Sequence, residues 1–227
     1  MSSAPFCILS TRPHHTPMKT VQSDSYYSYY GSLDPALIVS EAAHFFVKNS
    51  DAKHRDIEKT LADFIQITKA DYLQETALKE IPENAPASVS AWLVIRMTIP
   101  TLEYTLMPRW HRDGLMYSPD TEGDVNYKYV ITLLGNPTKL LAESDFVRDV
   151  VRGIYQERRA EYAEKLSSEP VIEAPRREIV KFSWGQKDSP VHSEPDMNSD
   201  RVFISILYGS EREMRNMCEL REEPYRD

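Results

Sequence analysis

An α+β architecture with a mainly antiparallel sheet or barrel is predicted by three features of the 227-residue chain. Two amphipathic helical segments come first. Segments rich in β-branched and aromatic residues follow them. One helical stretch interrupts those strands instead of alternating with them. The length suits one domain with a sizeable core, which divides the reading into an arm over residues 1–30 and a single domain over 31–227.

Residues 1–30 mix Ser, Pro, His and Tyr without a helical or strand period, up to the tyrosines between Tyr26 and Tyr30, and read as a loose arm. Asp34 followed by Pro35 is a helix start: the carboxylate can cap orphan amides, and proline tolerates the first helical position. The helix should run to about Lys48, where Asn49, Ser50 and Asp51 punctuate the chain. Ile57, Leu61, Phe64 and Ile65 then recur on one face of a second helix, so the helical part spans about 34–80. Two prolines between Ile81 and Pro86 mark the connector out of it.

Val89 to Ile99, Thr101 to Trp110 and Tyr127 to Leu134 read as three consecutive strands separated by Pro or Gly/Asp/Asn punctuation. Over residues 143–167, Phe146, Val150, Ile154 and Val147, Val151, Tyr155 recur at helical spacing among dense charges, which predicts one long surface helix. Strands resume at Glu178 to Trp184, briefly at Val191 and His192, and at Arg201 to Tyr208. The tail from Ser210 to Asp227 is charged and weakly patterned.

Several function classes are disfavoured. The 27 Lys and Arg against 35 Asp and Glu leave a formal charge of −8, so a general grip on phosphate backbones or anionic membranes is not expected, and nucleic acid is an unlikely partner. The 7 glycines are scattered and write neither of the glycine-rich phosphate-binding loops. Cys7 and Cys218 form no CxxC pair, so no zinc knuckle or disulfide framework is read from them. No signal-peptide pattern and no apolar run of bilayer length is found, and the expectation is a soluble cytoplasmic protein.

The chemistry-bearing residues lie in two places. Trp110-His111-Arg112-Asp113-Gly114 closes the second expected strand. On an extended strand, side chains at i and i+2 share a face, so His111 and Asp113 can reach one point. Such a triplet arises easily by chance; its weight comes from His192, followed by Arg201 at the start of Val202-Phe203-Ile204-Ser205-Ile206-Leu207. Two imidazoles and one carboxylate on one side of an octahedral ion leave positions open, an arrangement suited to ferrous iron that also binds a chelating ligand and oxygen. Arginine grips a carboxylate with two parallel hydrogen bonds.

The order His111-x-Asp113, His192, then Arg201 within a strand resembles the iron(II)/2-oxoglutarate-dependent oxygenases, over about residues 88–209. The resemblance implies a double-stranded β-helix (jelly-roll) core with N-terminal helices, here carrying a helical insertion. It implies that His111, Asp113 and His192 hold Fe(II), and that Arg201 binds the distal carboxylate of 2-oxoglutarate, the co-substrate consumed with O2. Members commonly place a polar side chain on the strand after HxD to help hold the co-substrate. Tyr127, Tyr129 and Thr132 are candidates here, and Tyr129 is favoured. Some members carry a serine two positions after the arginine, where this chain has Phe203; Ser205 lies one alternation further on.

The expected reaction class is hydroxylation or demethylation of a small molecule or a protein side chain. Two alternatives share the fold: a cupin-like metal enzyme without 2-oxoglutarate, and a non-catalytic jelly-roll binding protein. The remaining histidines, His14, His15, His44 and His54, read as structural or solvated.

Overall fold

A computed structural model describes residues 6–77, 89–103, 107–114, 127–151, 159–185 and 189–227. The connector expected at Ile81 to Pro86 lies outside these. Among the described residues nine strands and two long helices organise the chain, with shorter helices between and after them. In chain order they are β1 (Cys7–Ile8), β2 (Ser25–Ser32), α1 (Pro35–Asn49), α2 (His54–Ala77), β3 (Val89–Thr98), β4 (Tyr127–Leu134) and β5 (Lys139–Leu141). Then come α3 (Asp145–Val150), α4 (Arg159–Lys165), β6 (Val171–Glu173), β7 (Val180–Ser183), β8 (His192–Ser193), β9 (Arg201–Ser210) and α5 (Glu211–Arg221).

The expected α+β class with antiparallel sheets is what the chain adopts. A six-stranded sheet has the order β1-β7-β4-β9-β3-β2, and a three-stranded sheet the order β6-β5-β8; every pairing within them is antiparallel. A single antiparallel bridge between His111 and His192 adds a further segment beside β8.

Both faces of the large sheet are covered, and strand alternation sorts the residues between them. Leu93, Ile95, Tyr129, Ile131, Ile204, Ile206 and Tyr208 turn to one side and pack on Ile38, Phe46, Leu61, Phe64 and Ile65 of α1 and α2. Burying each such side chain contributes roughly 1.5–3 kcal/mol, so this layer is the main core. The other side carries Trp92, Val94 and Leu207, which meet Trp184 and Met214, Met217 and Cys218 of α5. Asp34 caps α1 as expected, accepting from the amides of Ala36 and Leu37. Both cysteines are free, and Cys218 is buried. Among the described residues no helix is long and apolar enough to cross a membrane.

Four expectations need correction. The loose arm expected over 1–30 is built in over its described residues, 6–30: Ser25–Ser32 pairs with Ser90–Met97 of β3, and Leu9, Met18 and Val21 are buried in the main core. The strand expected over Thr101 to Trp110 is absent among its described residues, where Thr101 makes one bridge to Met197. The stretch leaves the large sheet at Thr98 and reaches the small sheet at His111, and its described residues join no ladder. The single surface helix expected over 143–167 is interrupted: Val151 leaves helical geometry at the end of α3, and the described residues of the stretch form the two short helices α3 and α4, while Ile154 and Tyr155 lie outside the described residues. Val147, Val151, Tyr162 and Leu166 are buried with Trp110, Leu141 and Val191, so this insertion backs the small sheet. The weakly patterned tail forms α5, opened by a capping box in which Ser210 and Glu213 satisfy each other's backbone amides.

Candidate metal and anion site

Between the two sheets lies a cavity of about 340 Å³ lined by His111, Asp113, His192, Arg201 and Ser205, with further cationic and aromatic side chains. Its floor is the large sheet's second face. Residues Arg201, Phe203 and Ser205 of β9 and Lys128 of β4 alternate toward it, while their neighbours enter the main core.

His111 and His192 are brought together by the bridge between their backbones, with amide-to-carbonyl distances of 3.0 and 2.9 Å. Each ring is held by its Nδ1 against a backbone carbonyl, that of Arg109 at 2.7 Å for His111 and that of Pro190 at 3.1 Å for His192. A carbonyl only accepts, so each Nδ1 carries a proton and each Nε2 is directed inward. Asp113 faces both: its Oδ1 is 3.6 Å from His111 Nε2, and its Oδ2 is 3.5 Å from His192 Nε2. One donor atom from each of the three residues lies within 4.8 Å of the others.

The turn carrying Asp113 depends on a close backbone approach. Gly114 has φ +78°, and a Cβ there would lie 2.2 Å from the Cα of Gly185, so only glycine fits. At the other end of the cavity Gly135, φ +79°, lets the β4–β5 turn pass Asp200 and Arg201, which a Cβ would meet at 2.4 and 2.9 Å. That approach delivers Asn136 and Thr138 to Arg201. Its Nε donates to the Asn136 carbonyl at 3.0 Å and its Nη2 to Thr138 Oγ1 at 3.1 Å, with the guanidinium 4.7 Å over the Phe203 ring. Arg201 is buried, and these contacts orient it within the cavity wall.

The electrostatics follow from burial and charge. Burial lowers the pKa of His192 to about 4, an effect the nearby Asp113 charge only partly offsets, so this imidazole is neutral at pH 7 and able to ligate. Burial works against the Asp113 charge, but Lys128 and the two imidazoles outweigh it and hold the carboxyl well below its usual range. Lys128 Nζ donates to Asp113 Oδ2 at 2.6 Å. Arg109 forms a two-pronged ion pair with Glu194, its Nε donating at 3.0 Å. Arg112 pairs with Glu143 and donates to the Ser189 carbonyl, tying the histidine-bearing loop to the small sheet.

Of the residues anticipated from sequence, His111, Asp113, His192, Arg201 and Ser205 line one cavity. Tyr127 and Tyr129 do not. The two tyrosines share a face, as alternation requires, but it is the one turned to the helices. Tyr129 donates to Asp71 Oδ2 of α2 at 2.8 Å, and the Tyr127 ring packs under Lys181. Thr132 is on the cavity side of β4, as is Lys128, which sequence reasoning passed over. Its signal was available: in Tyr127-Lys128-Tyr129 the lysine has the opposite parity to the tyrosines.

No family model matches the chain, and no curated protein matches it. Solved structures do. AviO1 from Streptomyces viridochromogenes Tue57 is similar at 14% identity and a TM-score of 0.38, over 83% of this chain and 91% of that one. A prolyl-4-hydroxylase from Pseudomonas putida is similar at 13% identity and a TM-score of 0.36, over 86% of this chain and 76% of its own. HygX from Streptomyces hygroscopicus, solved with nickel and 2-oxoglutarate bound, is similar at 9% identity and a TM-score of 0.35, over 64% and 66%. With overlaps this loose, the chain's own side chains decide what the site can do.

Proposed function

We propose that the chain is an Fe(II)- and 2-oxoglutarate-dependent oxygenase, with the two sheets forming a jelly-roll core within a single domain. The observation that carries this reading is the meeting of His111, Asp113 and His192 within 4.8 Å in a cavity that also holds the oriented guanidinium of Arg201. Two imidazoles and a carboxylate suit a divalent ion with open positions; inward-facing Nε2 atoms, a neutral His192 and an ionised Asp113 suit its requirement for deprotonated ligands. The group bound there would couple conversion of 2-oxoglutarate to succinate and carbon dioxide with insertion of oxygen into a substrate.

This chain's residues supply binding and orientation. The carbonyls of Arg109 and Pro190 keep both imidazoles in the ligating tautomer. Arg201, steadied by Asn136 and Thr138, receives the distal carboxylate of the co-substrate with paired N–H donors. Ser205, on the same side of β9, stands as a further hydroxyl within the cavity. Phe182, Phe203 and Trp184 supply apolar walls that exclude water from the reacting groups. The substrate is a small molecule or a protein side chain, and the proposed location is the cytoplasm. A cupin-like enzyme without 2-oxoglutarate would use the same three ligands, but the oriented Arg201 favours the co-substrate reading.

Anaerobic addition of Fe(II) and then 2-oxoglutarate is expected to produce a visible charge-transfer band, and aerobic incubation to release succinate. His192→Ala should abolish the band. Arg201→Ala should keep it but require at least ~10-fold more 2-oxoglutarate, as loss of a charge-assisted pair implies. An unchanged band in the His192 variant overturns the ligand assignment, and an unchanged 2-oxoglutarate requirement in the Arg201 variant overturns the co-substrate assignment.

A further inference from the structure

Lys128 stands out among the cationic groups of the cavity because of the atom it holds. Its Nζ lies 2.6 Å from Oδ2 of Asp113, and that same oxygen faces Nε2 of His192 at 3.5 Å. An ion ligated by this triad would therefore sit beside an ammonium already bonded to one of its three ligands. Neither charge is well screened, since the Lys128 and Asp113 side chains are 15% and 17% exposed.

The local register fixes this arrangement. Lys128 pairs across β4 with Phe182 of β7 and with Leu207 of β9, so its stem is packed on apolar neighbours and its head is delivered to the cavity. No carboxylate other than Asp113 is paired with it among the described residues. The other acid lining the cavity, Glu194, is engaged by Arg109 and Arg96. Among the described residues an ammonium leaving Asp113 thus has no second carboxylate to receive it, while Arg96, Arg109, Arg112, Arg201 and Arg221 make the cavity cationic.

We propose that Lys128 is an internal counter-cation that competes with the divalent ion for Asp113, so that the ion binds tightly only when an anion enters the cavity to receive the displaced ammonium. The competition follows from charge. Alone, the lysine neutralises a carboxylate that would otherwise be a costly buried charge between two imidazole rings. When the ion takes the oxygen, two cations share one carboxylate, and a dianion entering beside Arg201 relieves the excess. Metal and anion then bind with positive coupling, which by linkage is reciprocal. The identity of the anion as 2-oxoglutarate rests on the proposed function; the competition itself does not.

The test uses Mn(II) as the probe ion, titrated into the full chain and followed by the electron paramagnetic resonance of free Mn(II), with and without 2-oxoglutarate. Lys128→Met should tighten Mn(II) binding at least ~10-fold in the absence of 2-oxoglutarate. Lys128→Gln keeps a hydrogen-bond donor to Asp113 without the charge, and should give the same tightening if the Met variant does not fold. Lys128→Arg should keep the weak binding. 2-Oxoglutarate should tighten Mn(II) binding at least ~10-fold in the unaltered protein and by less in the neutral variants.

Equal or weaker Mn(II) binding by folded neutral variants overturns the proposal, as does absence of Mn(II) binding in every protein. Binding that appears only in the neutral variants supports it. Tightening without any effect of 2-oxoglutarate leaves the competition standing and removes the co-substrate reading instead. Undiminished binding by His192→Ala removes the ligand set.

Discussion

Glu194 follows Ser193 of β8 into the cavity wall, where its carboxylate meets Arg109 and, at 3.8 Å, Arg96. Burial alone would raise its pKa, but the bonds and charge of Arg109 prevail and hold it at about 2, against an ordinary 4.5. A depressed acid contributes stability above its unfolded value and loses it as pH falls through its folded value. The contribution is therefore full above about pH 4.5 and gone near pH 2. The shift corresponds to about 3 kcal/mol, as an order of magnitude. Glu194→Gln should lose about that much stability at pH 7 in urea unfolding, and its deficit should shrink as pH falls below 4.5. A deficit independent of pH would show that the carboxylate charge is not what matters. The same scale shows what the sequence could and could not convey. Parity told that Tyr127 and Tyr129 share a face; it could not tell which, because both faces of this sheet are covered and both accept aromatic rings. His111, Asp113 and His192 were legible because the ligand chemistry needs particular side chains in a particular order, whatever the elements around them do.

Among the elements, the turn that carries Asp113 is the one most sharply constrained. The strand expected over Thr101 to Trp110 is not formed among its described residues, yet His111 and Asp113 still converge, because the bridge to His192 and the Gly114–Gly185 approach hold them. Gly114→Ala would drive a Cβ to 2.2 Å from Gly185 at a positive φ and is expected to cost at least ~1–3 kcal/mol and to weaken Mn(II) binding at least ~10-fold. Gly185→Ala is the control: its φ is +71°, but no atom lies within 4 Å of the added Cβ. It should cost only the ~1 kcal/mol of left-handed strain and leave Mn(II) binding nearly unchanged. Equal effects in the two variants would mean that strain, not the close approach, sets the geometry. Elsewhere, periodicity located α1, α2, β3, β4 and β9 because each makes long pairings or buries a full stripe. It failed over 101–110, whose described residues cross from the large sheet toward the small one and form a single bridge, Thr101 to Met197, in place of a ladder. It also failed at α5, whose signal was the Ser210-x-x-Glu213 box and not an apolar period.

For the whole molecule, the cavity's position matters more than any one contact. Its lining comes from β3, β4, β7 and β9 of the large sheet, from β8 of the small sheet, and from Arg221 at the end of α5. A group bound there touches both sheets, so its binding energy is added to the folded state as a unit. An ion at ~100 times its dissociation constant adds about 2.7 kcal/mol. At about 2–4 °C per kcal/mol for a chain of this size, Mn(II) with 2-oxoglutarate should raise Tm by roughly 5–10 °C. His192→Ala should show none of this shift, whereas Lys128→Met should show most of it with Mn(II) alone. The rise should be the same by tryptophan fluorescence, which reports Trp92, Trp110 and Trp184 around the two sheets, and by far-UV circular dichroism, dominated by α1 and α2 behind the large sheet. If only the fluorescence transition moved, the small sheet would be unfolding apart from the helical layer, and the cavity would be joining two separable units instead of lying inside one.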